Sequence, residues 1–111
     1  MIVFKMVTKE KDGRLVSLME TGPRQIEYRP GEFSYPPVGV LFARDSREAA
    51  LEAVKRYIAT NIPTAELWEA EATEVNPTPY ATIVGCQSLK LLKKIYPPAS
   101  PGQWVLKTPL F

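Results

Sequence analysis

The sequence predicts an α+β fold in which a mostly antiparallel sheet carries one main helix, at about residues 46–60, on one face. Three observations predict this fold: short apolar runs separated by turn residues, one long segment with helical periodicity, and further strand-like runs after it. The chain has 111 residues, of which 45% are hydrophobic, so we expect a single domain over residues 1–111. One helix covers one face of a sheet, so the other face needs cover of its own or a partner.

The first predicted elements are the two strands of a hairpin. Residues 3–7 and 15–19 are short apolar runs, and "KEKDG" lies between them. Its Asp-Gly pair favours a tight turn because glycine adopts a positive φ at little cost. A short strand then leads into Pro30 and Gly31, within "IEYRPGEF". Proline presets φ and glycine takes the left-handed position, so this dipeptide predicts a second tight turn.

The next predicted elements are a strand and the helix. Residues 38–43 ("VGVLFA") are mostly apolar, which is typical of a central strand covered on both faces. Asp45 and Glu48 imitate a capping box at the start of the helix. Apolar residues then recur at helical spacing, and Asn61 and Pro63 end the segment.

The second half of the chain predicts further strands. Residues 65–75 alternate between acidic and small or aromatic side chains, which favours a strand over the helix that their composition would allow. Residues 81–84 predict another strand, whereas 88–96 fits either a helix or a strand. Residues 104–107 predict a last short strand or an apolar tail that docks on the core.

Composition excludes several kinds of chemistry. The chain contains no histidine and one cysteine, Cys86, which excludes histidine-dependent catalysis, histidine-bound metals and an internal disulfide. We therefore expect no cofactor, no metal site and a buried structural thiol. The net charge of +2 makes nucleic acid an unexpected partner.

Two further expectations concern location and source. The sequence shows no signal peptide and no apolar run near the roughly 18 residues that span a bilayer, so we expect a cytoplasmic protein without membrane contact. Eleven prolines and few asparagines and glutamines favour a thermophilic source.

The stretch "YRPGEFSYPP" holds the best candidates for a partner-binding surface. Tyrosine and proline offer contact area with little entropy to lose, and arginine is common at the edges of interfaces. The predicted partner contacts are Tyr28, Arg29, Phe33, Tyr35 and Trp104. The alternative is that these aromatic side chains serve core packing and turn geometry, as we expect for Trp68.

Two other clusters are weaker candidates. Glu69 and Glu71 would lie about 6–7 Å apart on one face of a strand, a spacing that acid–base catalysis can use, although a solvated polar face shows the same pattern. Lys90, Lys93 and Lys94 form the densest basic cluster and would contact phosphates, or simply form a solvated face that blocks unwanted strand pairing.

Residues 27–75 carry two resemblances. "Y-R-P-G" after a strand, "P-P-V-G-V-L-F-A-R-D-S" into a helix and "L-W-E-A-E" resemble a pattern in short uncharacterised proteins of bacteriophages and archaeal viruses. This resemblance covers about half of the chain, implies an accessory protein of a mobile element, and favours a strand at 88–96. The strand "GVLF" before an alanine-lined helix is also similar to the ADP-ribosyltransferase-like fold, which implies a nucleotide-binding or transferase domain using Glu69 or Glu71. Those enzymes use a histidine or an arginine on an early strand and a serine-rich strand, and this chain has no histidine and no serine-rich stretch, so such a domain would be divergent or inactive.

Together these observations predict a small non-catalytic binding protein whose partner is another protein. A homodimer is a second way to cover the open sheet face. The alternative functions are a divergent nucleotide-binding or ADP-ribosyltransferase-like domain and a weak nucleic-acid binder that uses Lys90, Lys93 and Lys94.

Overall fold

The computed structural model describes residues 1–18 and 22–98, and it confirms the α+β fold. One α-helix, α1 (Arg47–Thr60), and one short 3₁₀-helix (Gly22–Arg24) accompany the strands. The strands are β1 (Ile2–Lys9), β2 (Leu15–Ser17), β3 (Glu27–Tyr28), β4 (Phe33–Ser34), β5 (Leu41–Arg44), β6 (Ala65–Thr73), β7 (Asn76–Pro77), β8 (Ile83–Cys86) and β9 (Ser88–Tyr96).

All of these strands join one antiparallel sheet. The main path runs β4-β9-β6-β1-β5-β8-β7, and β2 pairs with the far end of β1 and with β3. Strand pairing also gives the path β3-β2-β1-β6-β9-β4, whose two end strands are joined by a short segment of the chain. The sheet therefore curls so that β3 and β4 lie close together. The hydroxyl group of Ser34 on β4 donates to the carbonyl oxygen of Glu27 on β3 at 3.5 Å, which closes this curl.

The sheet has a core on each face. The helix-face core is formed by Ala50 and Val54 of α1 against Ala65 and Leu67 of β6, with Phe4 and Met6 packed around them. The opposite, inner face holds a larger core inside the curl. Its buried residues are Val3, Val7, Leu15, Tyr28, Leu41, Ala43, Ala70, Ala72, Val84, Cys86, Leu89 and Leu91. Burying a leucine such as Leu89 contributes about 1.5–3 kcal/mol, so the inner core is the main source of stability.

The helix begins one residue later than its capping box predicts. Ser46, not Asp45, is the N-cap residue, and its hydroxyl oxygen accepts from the backbone N–H of Ala49 at 3.2 Å. Serine and aspartate cap equally well, so sequence alone does not separate two adjacent candidates. Asn61 ends the helix, as predicted, with its backbone N–H bonded to the carbonyl oxygen of Tyr57.

Two other sequence expectations are resolved by the sheet. Residues 88–96 form the strand β9, which pairs with β6 through two register irregularities. The strand predicted at 38–43 is β5, and it is not covered on both faces. Leu41 and Ala43 face the inner core, whereas Phe42 lies on the helix face and is 52% exposed. The strand or tail predicted at 104–107 lies outside the described residues. Within the part of the chain that the structure describes, no helix is long and apolar enough to cross a membrane.

Candidate functional site

The segment from Glu27 to Tyr35 separates two neighbouring grooves on the surface. Its Pro-Gly turn forms as predicted: the backbone N–H of Glu32 donates to the carbonyl oxygen of Arg29 at 3.0 Å, and Gly31 takes a φ of 84°. The N–H of Gly31 also donates to the carbonyl oxygen of Leu91 at 2.9 Å, which fixes the turn to β9. The turn therefore holds Arg29 and its neighbours in a defined place between the grooves.

The larger groove lies between the β1–β2 hairpin, the start of the 27–35 segment and the paired strands β6 and β9. Its volume is about 540 Å³, within the range of natural ligand sites. The lining residues are Lys9, Asp12, Gly13, Arg14, Leu15, Glu27, Tyr28, Arg29, Pro30, Glu66, Trp68 and Lys94. Trp68 and Pro30 are its largest apolar surfaces that are not fully buried. This groove combines an apolar floor with charged walls.

A carboxylate at the bottom of this groove orients the tryptophan. Glu66 is only 7% exposed, and its Oε1 accepts from the indole Nε1–H of Trp68 at 3.0 Å. Its Oε2 lies 4.0 Å from Nζ of Lys94. A buried charged group needs such partners, because leaving it unpaired costs several kcal/mol. The three side chains therefore form one connected unit that fixes the ring of Trp68 against the inner core.

Two exposed ion pairs form the walls. On the hairpin, Asp12 accepts from the backbone N–H of Arg14 at 3.0 Å and from its Nε at 2.8 Å. These hydrogen bonds lower the pKa of the Asp12 carboxyl group. Across the groove, Nε of Arg29 donates to Glu27 at 3.1 Å. Exposed pairs of this kind contribute only about 0–1 kcal/mol, so both arginines can rearrange for a ligand at little cost.

The smaller groove lies on the other side of the turn. Its volume is about 180 Å³, and its lining residues are Ile26, Glu27, Arg29, Glu32, Phe33, Ser34 and Tyr35. Tyr35 is 67% exposed, and Nζ of Lys90 lies 4.9 Å from the ring centre of Phe33. The structure thus brings Arg29, Phe33 and Tyr35 together around one groove.

Tyr28, one of the predicted partner contacts, is buried and belongs to the lining of the larger groove. It is 2% exposed and belongs to the inner core, where Nζ of Lys5 lies 5.4 Å from its ring centre. Burial raises the pKa of its phenol, against the opposing effect of a hydrogen bond with Ser17. In strand β3 the side chains alternate between the faces, so Tyr28 points inward when Glu27 and Arg29 line the surface. Trp104, the predicted partner contact that is not part of this stretch, lies outside the described residues.

The two glutamates considered for catalysis line neither groove. Glu69 and Glu71 lie on the helix face of β6, where they pair in register with Lys93 and Lys90 of β9. Oε2 of Glu71 lies 3.9 Å from Nζ of Lys90. Glu69 and Glu71 are both only partly buried and form, with the two lysines, the polar strand face that the alternative interpretation describes.

The lysine cluster is divided between the two faces of β9. Lys90 and Lys93 pair with glutamates on the helix face, whereas Lys94 pairs with Trp68 on the inner face and approaches Glu66. Lys93 and Lys94 are consecutive and so lie on opposite faces, and the irregularity at Leu92 places Lys93 on the same face as Lys90. The three lysines therefore do not form one continuous basic surface for phosphates.

Most residues of the larger groove were not among the candidates that the sequence predicts. Trp68 is expected in the core, and it does pack against the inner core, but it is half-buried and also lines the groove. The sequence around the first turn, with Lys9, Asp12 and Arg14, predicts only an ordinary hairpin. Their role depends on β2 and β3 curling toward β6 and β9, which is a long-range property that no local pattern contains.

Comparisons with known proteins add no assignment: no family model, no curated protein and no solved structure matches this chain. Within residues 1–18 and 22–98, no group of three or more aspartates, glutamates and cysteines is placed to hold a metal ion.

Proposed function

We propose that this protein is a non-catalytic binding module that takes an extended segment of a partner protein into the larger groove. The observation that carries this proposal is Trp68, whose half-buried indole is fixed by Glu66 and lies at the floor of the 540 Å³ groove. Aromatic residues held in this way are the usual anchors of protein interfaces. The turn at Pro30 and Gly31 supports the proposal because it preorganises one wall.

The smaller groove extends this surface. Arg29 and Glu27 line both grooves, so a segment that leaves the larger groove passes Phe33 and Tyr35. Tyr35 supplies the most exposed ring along this path. We assign these side chains to the edge of the interface, where contacts add specificity more than affinity.

The role as an accessory protein of a mobile element stays a proposal that rests on the resemblance of residues 27–75. It fits a binding module of this size, since such a module acts by occupying a partner and needs no catalytic centre of its own. The proposal makes no use of Glu69, Glu71 or the lysines of β9 as catalytic or phosphate-binding groups.

A displayed library of random peptides tests the proposal without knowledge of the host. We expect the immobilised protein to enrich a related set of peptides. Trp68→Ala should weaken their binding by about tenfold or more, because hot-spot aromatic residues contribute about 2 kcal/mol or more. Phe42→Ala is the control for loss of an aromatic ring, since Phe42 is 52% exposed and lies outside both grooves.

Two outcomes would contradict the proposal. One is a library that enriches no peptide above background. The other is an enriched set whose binding survives Trp68→Ala in a variant shown to be folded by circular dichroism, because the groove would then not be the binding surface.

A further inference from the structure

The charged side chains of the larger groove differ in how many hydrogen-bond donors or acceptors remain for a ligand. Four are cationic and three are acidic: Lys9, Arg14, Arg29 and Lys94 against Asp12, Glu27 and Glu66. The balance, four minus three, is one positive charge. A count this close to neutrality does not decide the chemistry of a ligand, so the hydrogen bonds must.

The carboxylates are already occupied. Asp12 accepts two hydrogen bonds from Arg14, and Glu27 accepts one from Arg29. Glu66 accepts from the indole of Trp68 and lies beside Nζ of Lys94. Each acidic group of this groove is therefore paired with a cation of the same groove, and Lys9 is the lining cation that forms no ion pair among the described residues.

The cationic groups keep free donors. Arg14 and Arg29 each use only Nε in their ion pairs, and their terminal guanidinium nitrogens form no hydrogen bond with the described residues. Each guanidinium has five N–H donors, so most of its capacity remains. Lys9 forms no ion pair within the described part of the chain. Unused donors thus stand on the hairpin wall and on the opposite wall at Arg29.

The floor between these donors is apolar. Leu15 and Tyr28 line its bottom as buried residues of the inner core, and Trp68 and Pro30 lie above them. A ligand that fits this arrangement has an apolar side chain for the floor and acidic groups on either side for the arginines and Lys9. A carboxylate matches a guanidinium fork in a bidentate geometry.

The smaller groove gives the site a direction. It is lined by Glu27 and Glu32 against Arg29, whereas the hairpin wall of the larger groove carries Lys9 and Arg14 against Asp12, so one end of the surface is acidic and the other is basic. A polyanion that runs along both grooves would meet the carboxylate of Glu32. A protein segment can place its acidic residues at the hairpin end and a neutral or basic residue at Glu32.

We propose that the partner of this groove is an acidic peptide segment with an apolar side chain, which Trp68 and the cations Lys9, Arg14 and Arg29 recognise together. This inference rests on the proposed function and adds the chemistry of the partner. Single-stranded nucleic acid is the competing occupant, because it too combines flat apolar groups with negative charge.

Tryptophan fluorescence tests this proposal directly. The chain has two tryptophans, so a Trp104→Phe background leaves Trp68 as the only reporter. The probes are a capped peptide of alternating glutamate and leucine, the same peptide with lysine for glutamate, and an oligothymidylate. We expect the acidic peptide to change the emission of Trp68 and to bind at least about tenfold more tightly than the lysine peptide, since several exposed charge contacts act together and each contributes a modest factor.

Three variants locate the charge contacts. Lys9→Gln and Arg14→Gln should each weaken the acidic peptide by about two- to fivefold. Lys11→Gln is the matched control: it removes the same charge from the same exposed hairpin, but Lys11 does not line the groove. Lys9→Gln breaks no ion pair of the described residues, so its effect does not depend on a change in the hairpin.

Each remaining outcome would overturn the inference. Tighter binding of the oligothymidylate at the same salt concentration would assign the groove to nucleic acid. Equal affinity for the acidic and lysine peptides would show that the cations do not select the ligand. Equal losses of affinity in Lys9→Gln and Lys11→Gln would show the same. Neither result would contradict the proposed function. No change in Trp68 emission with any probe would also reject the inference. The library experiment with Trp68→Ala, rather than these titrations, tests the proposed function.

Discussion

Tyr28 shows how one residue can serve the core and the groove together. Its ring lies in the inner core, and one side of it forms the bottom of the larger groove. The sequence identifies the aromatic-proline stretch that contains Tyr28, but it does not show which side chains of a short strand point into the core. That choice is made by the pairing of Tyr28 with Leu15 on β2, which is a contact between distant residues.

Burial of Tyr28 and Cys86 predicts an alkaline loss of stability. Burial raises the pKa of both groups in the folded protein above the ordinary values of 10.0 and 9.0, so the unfolded chain releases these protons first. Their contribution is present in full below those values and is lost as the pH rises, first for Cys86 and then for Tyr28. Each proton changes the free energy of unfolding by up to about 1.4 kcal/mol per pH unit.

Urea unfolding at a series of pH values from about 8 to 11 measures this loss. Tyr28→Phe should flatten the decline above pH 10, and Cys86→Ala should flatten the part of it that begins near pH 9. Tyr35→Phe is the control for loss of an exposed hydroxyl group. A decline of the same slope in Tyr28→Phe and the unmodified protein would show that Tyr28 does not cause it.

At the scale of elements, the cap of α1 is the clearest test of local structure. Ser46→Ala should lower the free energy of unfolding by about 1 kcal/mol, because the N–H of Ala49 loses its acceptor. Asp45→Ala should cost less, because its side chain is not the cap of this helix. Thermal unfolding of both variants measures the difference, which corresponds to a few degrees in Tm. The reverse ranking would mean that Asp45 caps the helix in solution.

The elements themselves were largely predictable, and their geometry was not. Hydrophobic periodicity identifies α1, the alternation of residues 65–75 identifies β6, and Asp-Gly and Pro-Gly identify two turns. Periodicity leaves 88–96 ambiguous because the irregularities of β9 interrupt its alternation: Leu91 is buried, whereas Leu92, Lys93 and Lys94 are exposed. The grooves depend on how those strands curl, so only part of the candidate site could be predicted.

At the scale of the molecule, the arrangement disfavours the nucleotide-binding alternative. Glu69 and Glu71, which that alternative requires, lie on an open face and pair with lysines of β9. We therefore expect no rise in Tm with NAD or nucleotides at millimolar concentration. A ligand present at ten times its dissociation constant would add about 1.4 kcal/mol, or several degrees. A rise in Tm of that size would support the ADP-ribosyltransferase-like interpretation.

The open regions of the surface bear on the predicted homodimer. Phe42 and Val38 are 52% and 63% exposed near β5, beside the part of the sheet that α1 covers. These residues lie outside both grooves, so self-association through them would leave the grooves accessible. The homodimer stays a prediction that is compatible with the proposed function.

The central claim is that the groove floored by Trp68 is the binding surface, and an NMR titration with the best enriched peptide tests it most directly. We expect the indole Nε1–H of Trp68 and the backbone amides of Gly13, Leu15 and Lys94 to shift together as the peptide is added. These residues come from three separate parts of the chain, and all of them line this groove. Shifts confined to α1 or to the Glu69–Lys93 ladder, with the indole unchanged, would contradict the account.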